Sequence, residues 1–316
     1  MNASPSPQTP SPQNPGLLNW LLIVGLGVVW GSAFMSKAIA LEGFGPAWVA
    51  AGYLGLGALI LIALAAARGQ KLSAIWRIGG LRGVLFVGLI GLVAMAMPQL
   101  ALAWGQQHVP SAFAGVAMGA VPLLVLPLVH IFSPEEGLGL RQVVGFMLGF
   151  IGLLALIGPS AFDAGQNDLR VAGQLACILA ACGYAVGSVM TRRAPKMPPL
   201  ALAAGTLSVA ALLTLPYAAL TEPWPEAPGA GPVLALLYQG LMPAALGTFI
   251  RVRVITTAGS LFMSMTSYMV PVWAVIFGIA LMNEALPAQL FIALGLILSG
   301  IFIAQSRQIL AAFRGA

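Results

Sequence analysis

The chain has 316 residues, of which 59% are hydrophobic and only 7% charged; 14 Lys+Arg stand against 8 Asp+Glu, and the mean hydropathy is +0.96. A soluble domain carries roughly a quarter of its residues as charges to cover its surface. So few charges exclude a soluble enzyme, a secreted disulfide scaffold and a disordered chain, and leave a polytopic helical membrane protein.

The first fifteen residues, MNASPSPQTPSPQNP, are rich in Pro, Ser and Gln and carry no charged side chain. They have nothing to bury, so residues 1–17 are expected to form a disordered cytoplasmic tail. With no basic n-region and no small-residue cleavage site, the first apolar run reads as a helix rather than a cleaved signal peptide. Ten runs long enough to cross a bilayer follow, at 18–40, 46–67, 81–105, 111–132, 140–158, 171–191, 198–220, 233–252, 260–282 and 286–306. Their continuous apolarity fits helices, since barrel strands are shorter and alternate at period two. Residues 307–316 are read as a cytoplasmic C-terminal tail.

Rare residues exclude most chemistry. Cys177 and Cys182 are five apart on one expected helix and point about 140° away from each other, so they read as packing residues. His108 and His130 fall near opposite ends of one expected helix. There is no cluster with metal-ligand spacing, no phosphate loop, no nucleophile elbow and no basic–aromatic patch. The sequence therefore predicts no catalytic residue, cofactor, metal site or nucleic-acid partner.

Basic residues set topology through the positive-inside bias. With the N-terminus inside, Arg68, Lys71, Arg77, Arg82, Arg141, Arg192, Arg193, Lys196, Arg251, Arg253, Arg307 and Arg314 fall inside, and only Lys37 and Arg170 fall outside. Glu42, Asp163, Asp168, Glu222, Glu226 and Glu284 fall outside, with Glu135 and Glu136 inside. The net charge of +6 thus follows from topology. The expectation is a multi-pass protein of the bacterial cytoplasmic membrane, with both termini cytoplasmic.

The chain also repeats itself. Shifted by 149 residues, Ser111 falls on Ser260, Pro122 on Pro271 and Glu135 on Glu284. Gly145 meets Gly295 at a shift of 150, and Gly31-Ser32 meets Gly187-Ser188 at 156. The unit holds five crossings, an odd number, so its second copy enters from the opposite face. Inverted repeats of this kind let two half-structures exchange conformations, which is the basis of alternating access.

The opening WGSAFMSKAI at residues 30–39, the paired strings with Pro thirteen residues before Glu, and the glycine-rich fifth and tenth runs together resemble the EamA-type proteins of the drug/metabolite transporter superfamily. The resemblance covers essentially the whole chain after the tail. It implies an all-α membrane fold of ten helices in two inverted five-helix repeats, residues 18–159 and 160–306, and transport of small metabolites such as amino acids. Val186 stands where the repeat would place a match for Trp30, so any site is expected to be asymmetric.

Candidate cavity residues come from helical spacing. Ser111, Gly115, Met118 and Pro122, and likewise Ser260, Ser264, Ser267 and Pro271, would each share one face of a helix. Small residues there serve close packing or line a path, and both readings stand at this point. Trp30, Phe34 and Lys37 share a face of the first helix. Lys37 either snorkels to the interface or faces a cavity as a cation for a carboxylate. Tyr184, Ser188 and Thr191 line the sixth helix; Trp104 and Tyr268 are further candidates. Arg251 and Arg253 serve as topology anchors, or as a gate or anion contact. Glu135 and Glu284 are read, with Pro122 and Pro271, as structural repeat anchors, each glutamate accepting N–H bonds at the start of the following helix.

The expected function is alternating-access movement of a small metabolite, an amino acid among the candidates, with a lipid bilayer and a small-molecule substrate as partners. A non-transporting membrane scaffold or receptor is the alternative, and a membrane-embedded enzyme lacks convergent catalytic groups. Oligomeric state is open, and a monomer is compatible with the sequence.

Overall fold

The computed structural model describes residues 16–132, 139–158 and 169–314. Thirteen α-helices fill them: α1 Leu17–Leu41, α2 Pro46–Ala67, α3 Ser73–Ile90, α4 Met97–Gly105, α5 Ser111–Gly119, α6 Val121–Phe132, α7 Leu140–Ile157, α8 Leu169–Arg193, α9 Pro199–Thr221, α10 Ala230–Gln239, α11 Gly247–Met263, α12 Thr266–Ala280 and α13 Ala288–Arg314. Among the described residues, nine helical stretches are long and apolar enough to cross a membrane, and the apolar Thr266–Ala280 is a shorter tenth. The expected Glu135 and Glu136, and the loop acids Asp163 and Asp168, lie outside the described residues.

Several spans depart from straight helices. A π-helical segment, Gly91–Ala96, joins α3 to α4, and a second, Gly240–Leu246, joins α10 to α11. Pro98 and Pro243 cannot donate to an ordinary i→i−4 ladder, and the wider turn accommodates them. Gly80 (φ 54°) bends α3 and Gly229 (φ 77°) precedes α10, both in backbone that only glycine enters freely. The two π segments and the two bends each stand 149 residues apart.

The ninth expected span, 260–282, is not one helix. α11 runs through a bend at Gly259 (φ 89°) to Met263, and a turn at Ser264–Met265 separates it from α12. The fourth is broken at Ala120 between α5 and α6. Helical spacing therefore does not carry Ser264 onto one continuous face with Pro271, nor Ser111 with Pro122, whereas Ser267 and Pro271 stay one turn apart within α12. Prolines near these breaks remove ladder donors, and composition alone does not report where the chain turns. His108 lies in the turn after Gly105 rather than in the fourth span.

Packing interleaves the halves. α1 packs on α10, α11 and α12, α8 packs on α4, α5 and α6, α2 packs on α9, α5 on α12, and α7 on α13. α2 also touches the second π segment and α9 the first. Glycine sets the closest approach: a Cβ at Gly300 would lie 2.6 Å from the Gly145 carbonyl and 2.8 Å from the Gly149 nitrogen. Backbone cannot yield there as a side chain can.

Cross-half contacts define two ends. At one, Glu222 meets the start of α2 and Glu284 the start of α5. At the other, Gln70 meets the start of α9, Asn19 meets Thr257, and Arg141 meets Ser306. We call these the acidic and basic ends. Apolar clusters close both: Ala40, Phe44, Val49, Ala50, Ala103 and Ala235 at the acidic end, and Ile23, Leu26, Val254, Phe262 and Met263 at the basic end.

Candidate functional site

The turn of α1 from Trp30 to Lys37 is tied to both halves. Trp30 Nε1 donates to the Pro243 carbonyl in the second π segment at 3.2 Å. Ser32 Oγ and Tyr238 OH are 2.6 Å apart. Gln239 Nε2 donates to Ala33 O and Gln106 Nε2 to Phe34 O, each at 3.0 Å. One turn on, Lys37 Nζ donates to Gln99 Oε1 at 2.7 Å and sits 5.3 Å from the centroid of the Tyr53 ring.

Lys37 is 2% exposed, so the side chain turns inward and does not snorkel to the interface. Among the described residues no carboxylate bonds it. Moving an ammonium out of water is costly, and one amide oxygen with one aromatic face offsets only part of that cost. A buried cation so lightly compensated is chemically able to pair with an anionic group. Buried acceptors of the opposite character are Gln106, Gln239 and, in a separate pocket with Val109, Phe113 and Arg170, Gln174; the Oε1 atom of each has no hydrogen-bond partner among the described residues. Two of these glutamines are held one turn below Lys37 through their bonds to Ala33 and Phe34. Tyr53 of α2 and Tyr184 of α8 are each half-buried. The cluster thus offers a cation, unsatisfied acceptor oxygens and phenols where α1 meets α2, α4 and α10.

The other sequence candidates distribute as follows. Phe34 is buried and packs across from Gly115; Met118 joins the same apolar core. Ser188 is half-buried. Thr191 bonds its own helix through Gly187 O at 2.7 Å. Trp104 sits edge-on to His108 and lines a groove of about 320 Å³ with Pro46, Leu100, Ala176, Tyr217 and Glu222. Ser264 Oγ and Tyr268 OH both reach Gln305 Oε1, at 3.4 and 3.5 Å, away from Lys37 on the basic side, and Ser267 is half-buried nearby. Arg251 and Arg253 are exposed on α11. Pro271 is buried and Pro122 half-buried.

Glu284 corrects one expectation. It does not cap the following helix, α13; it accepts from the Ser111 and Ala112 nitrogens at the start of α5, at 2.6 and 3.1 Å. α5 and α12 pack together, which brings the N-terminus of α5 to the loop after α12. A sequence shows that a carboxylate lies near some helix start, not which one. Tyr53, Gln99, Gln106 and Gln239 escaped the sequence reading because isolated polar residues inside apolar runs form no motif; buried amides in a span are the signal that finds them.

Comparison with known proteins places this geometry in context. The model of the EamA-like transporter family matches twice, at residues 18–158 and 171–305. A chloroplastic WAT1-related protein of Arabidopsis thaliana is 28% identical over 90% of this chain and 69% of its own length. The inner membrane transporter YedA of Escherichia coli is 26% identical over 89% and 88%. A probable terminal-alkyne amino-acid exporter of Streptantibioticus cattleyicolor is 23% identical over 91% and 93%. A solved crystal structure aligns over 92% of this chain and 98% of its own with a TM-score of 0.64 at 23% identity, a likeness of fold.

Proposed function

We propose, from the premise that this chain belongs to the EamA-like transporter family, that it moves a small zwitterionic metabolite, an amino acid in the first instance, by alternating access across a bacterial cytoplasmic membrane. The observation that carries this reading is the buried Lys37 beside unsatisfied glutamine oxygens. A substrate carboxylate would displace Gln99 from Lys37, and the substrate ammonium would take the free amide oxygens. Tyr53 and Tyr184 would pack against the remainder. The match to an amino-acid exporter supports the same substrate class.

The transport cycle we infer uses ten crossings as two inverted repeats, 18–159 and 160–306, flanked by tails at 1–17 and 307–316. Exchanging the first five spans for the last five converts the pairing of α1 with α11 and α12 into that of α8 with α4 and α6, and converts α2 on the second π segment into α9 on the first. That reciprocity supports two halves able to trade shapes. The charge distribution supports a cytoplasmic basic end and cytoplasmic termini. Ser264, Ser267 and Tyr268 would then line the basic-side route, and Trp30 would brace the second π segment.

Radiolabelled amino acids and other metabolites counted inside proteoliposomes, with and without folded protein, test the reading. Protein-dependent uptake of at least one zwitterion supports it. Equal counts across a broad panel would favour a non-transporting scaffold or receptor.

A further inference from the structure

We propose that Glu222 and Glu284 form a latch that holds the acidic end shut during the transport cycle, an assignment that rests on the alternating-access reading above. Both residues belong to the second half, and both reach across to helices of the first. Glu222 Oε1 and Oε2 accept from the Ala47 nitrogen at 2.9 and 3.1 Å, and Oε2 also from the Trp48 nitrogen at 3.3 Å. Glu284 accepts from the Ser111 and Ala112 nitrogens at 2.6 and 3.1 Å. Helix starts leave N–H groups without intrahelical partners and carry the positive end of the macrodipole. A carboxylate there makes charge-assisted bonds, stronger than neutral ones.

The first half supplies no substitute. The N-cap residues of α2 and α5 are Gly45 and Pro110, and neither cap has a side-chain hydrogen bond of its own. Ser, Thr, Asp or Asn at those places would cap each helix locally. The task falls instead to the opposite half, and the backbone leaves room for it. A Cβ at Gly45 would collide with the Glu222 carboxylate, and one at Gly278 would lie 2.5 Å from Glu284 Oε2. The indole of Trp48 adds a bond to Pro223 O at 3.2 Å.

The basic end differs. There Gln70, a neutral amide in the first half, accepts from the Leu200 nitrogen of the second at 3.0 Å. Cross-half caps therefore run in both directions, but among the described residues the caps at the acidic end are carboxylates and the one at the basic end is a neutral amide. Parting the halves at the acidic end must break five carboxylate bonds to helix starts, while parting them at the basic end breaks the neutral Gln70 cap, the Thr257–Asn19 bond and the long Arg141–Ser306 contact. The latch biases the resting protein toward a closed acidic end.

Site-specific labelling separates a latch from a merely structural cap. In a chain with Cys177 and Cys182 replaced by Ala, and with transport retained, reporters are placed singly at Ala40→Cys and Leu26→Cys, both at fully buried positions at opposite ends. Glu222→Gln with Glu284→Gln is expected to raise maleimide labelling at the acidic-end reporter about tenfold, the equivalent of one charge-assisted bond lost, and to lower it at the basic-end reporter. Should the double variant lose its fold, each single variant is expected to show the same opposite movement at smaller size. Unchanged labelling, or a rise at both reporters together, overturns the latch. Reporters that fail to move in opposite directions when a transported substrate is added to the parent chain defeat alternating access itself, and the latch with it.

Discussion

Residues 17–158 and 169–306 share their bends and differ in their polar side chains. Gly80 and Gly229, and the π segments beginning at Gly91 and Gly240, keep a spacing of 149. Chemistry does not follow that spacing. Gln99 corresponds to Thr248 and Trp104 to Arg253. At the shift that matches the two Gly-Ser pairs, Lys37 corresponds to Arg193, yet Lys37 is 2% exposed and bonded to Gln99 while Arg193 is exposed at the basic end of α8. A duplicated scaffold supplies two halves that bend alike. On the proposed reading the binding chemistry lies mainly on one side of the seam, where a substrate with two unlike ends would meet unlike groups.

The sharpest way to break this contrast is to neutralise both cations separately. Lys37→Met is expected to lower flux in proteoliposomes about 100-fold, the scale of a buried charge contact, with membrane abundance unchanged. Arg193→Met is expected to change flux less than about twofold, as for a surface charge. Equal losses would erase the asymmetry.

Packing offers the next largest effect. The repeat matches Gly145 with Gly295, but a Cβ at Gly145 would strike the Gly300 carbonyl, whereas one at Gly295 meets nothing within 4 Å. Gly145→Leu is expected to destabilise the protein by about 3 kcal/mol, and Gly295→Leu by under about 0.5 kcal/mol, read as thermal unfolding in detergent. Similar losses at both would mean that α7 and α13 do not meet through Gly145.

Gln99→Leu probes the compensation of Lys37. Removing the amide leaves the ammonium without its bond, and a loss of about 2 kcal/mol is expected, reversed when Lys37→Met is added. The smallest effect is expected from Trp30→Phe, which removes the bond to Pro243 O and should cost about 1 kcal/mol; no change in unfolding temperature would remove the indole from the bracing of the second π segment.

Much of the framework was legible in the sequence because it follows from bulk properties. Apolar runs mark spans, basic residues mark one end, and a repeat marks related halves. The breaks were not legible. Pro122 and Pro271 announce that a ladder is interrupted, but the turns fall at Ala120 and at Ser264–Met265, set by neighbouring packing. The site was half legible. Lys37 stands out as a charge in a span, while its partner Gln99 lies 62 residues away and nothing local pairs them. Glu222 read only as an outside acid, because its target at Ala47 is 175 residues distant.

The central claim is that the halves exchange shapes about the Lys37 seam. Distances between spin labels test it most directly, with one pair at Glu42→Cys and Glu226→Cys and another at Arg77→Cys and Lys196→Cys, in the cysteine-free chain in nanodiscs. On adding a substrate found by the flux panel, the account predicts that one distance distribution lengthens as the other shortens, and that Lys37→Met abolishes both responses. Distributions that shift in the same direction, or that stay fixed while flux proceeds, would contradict it.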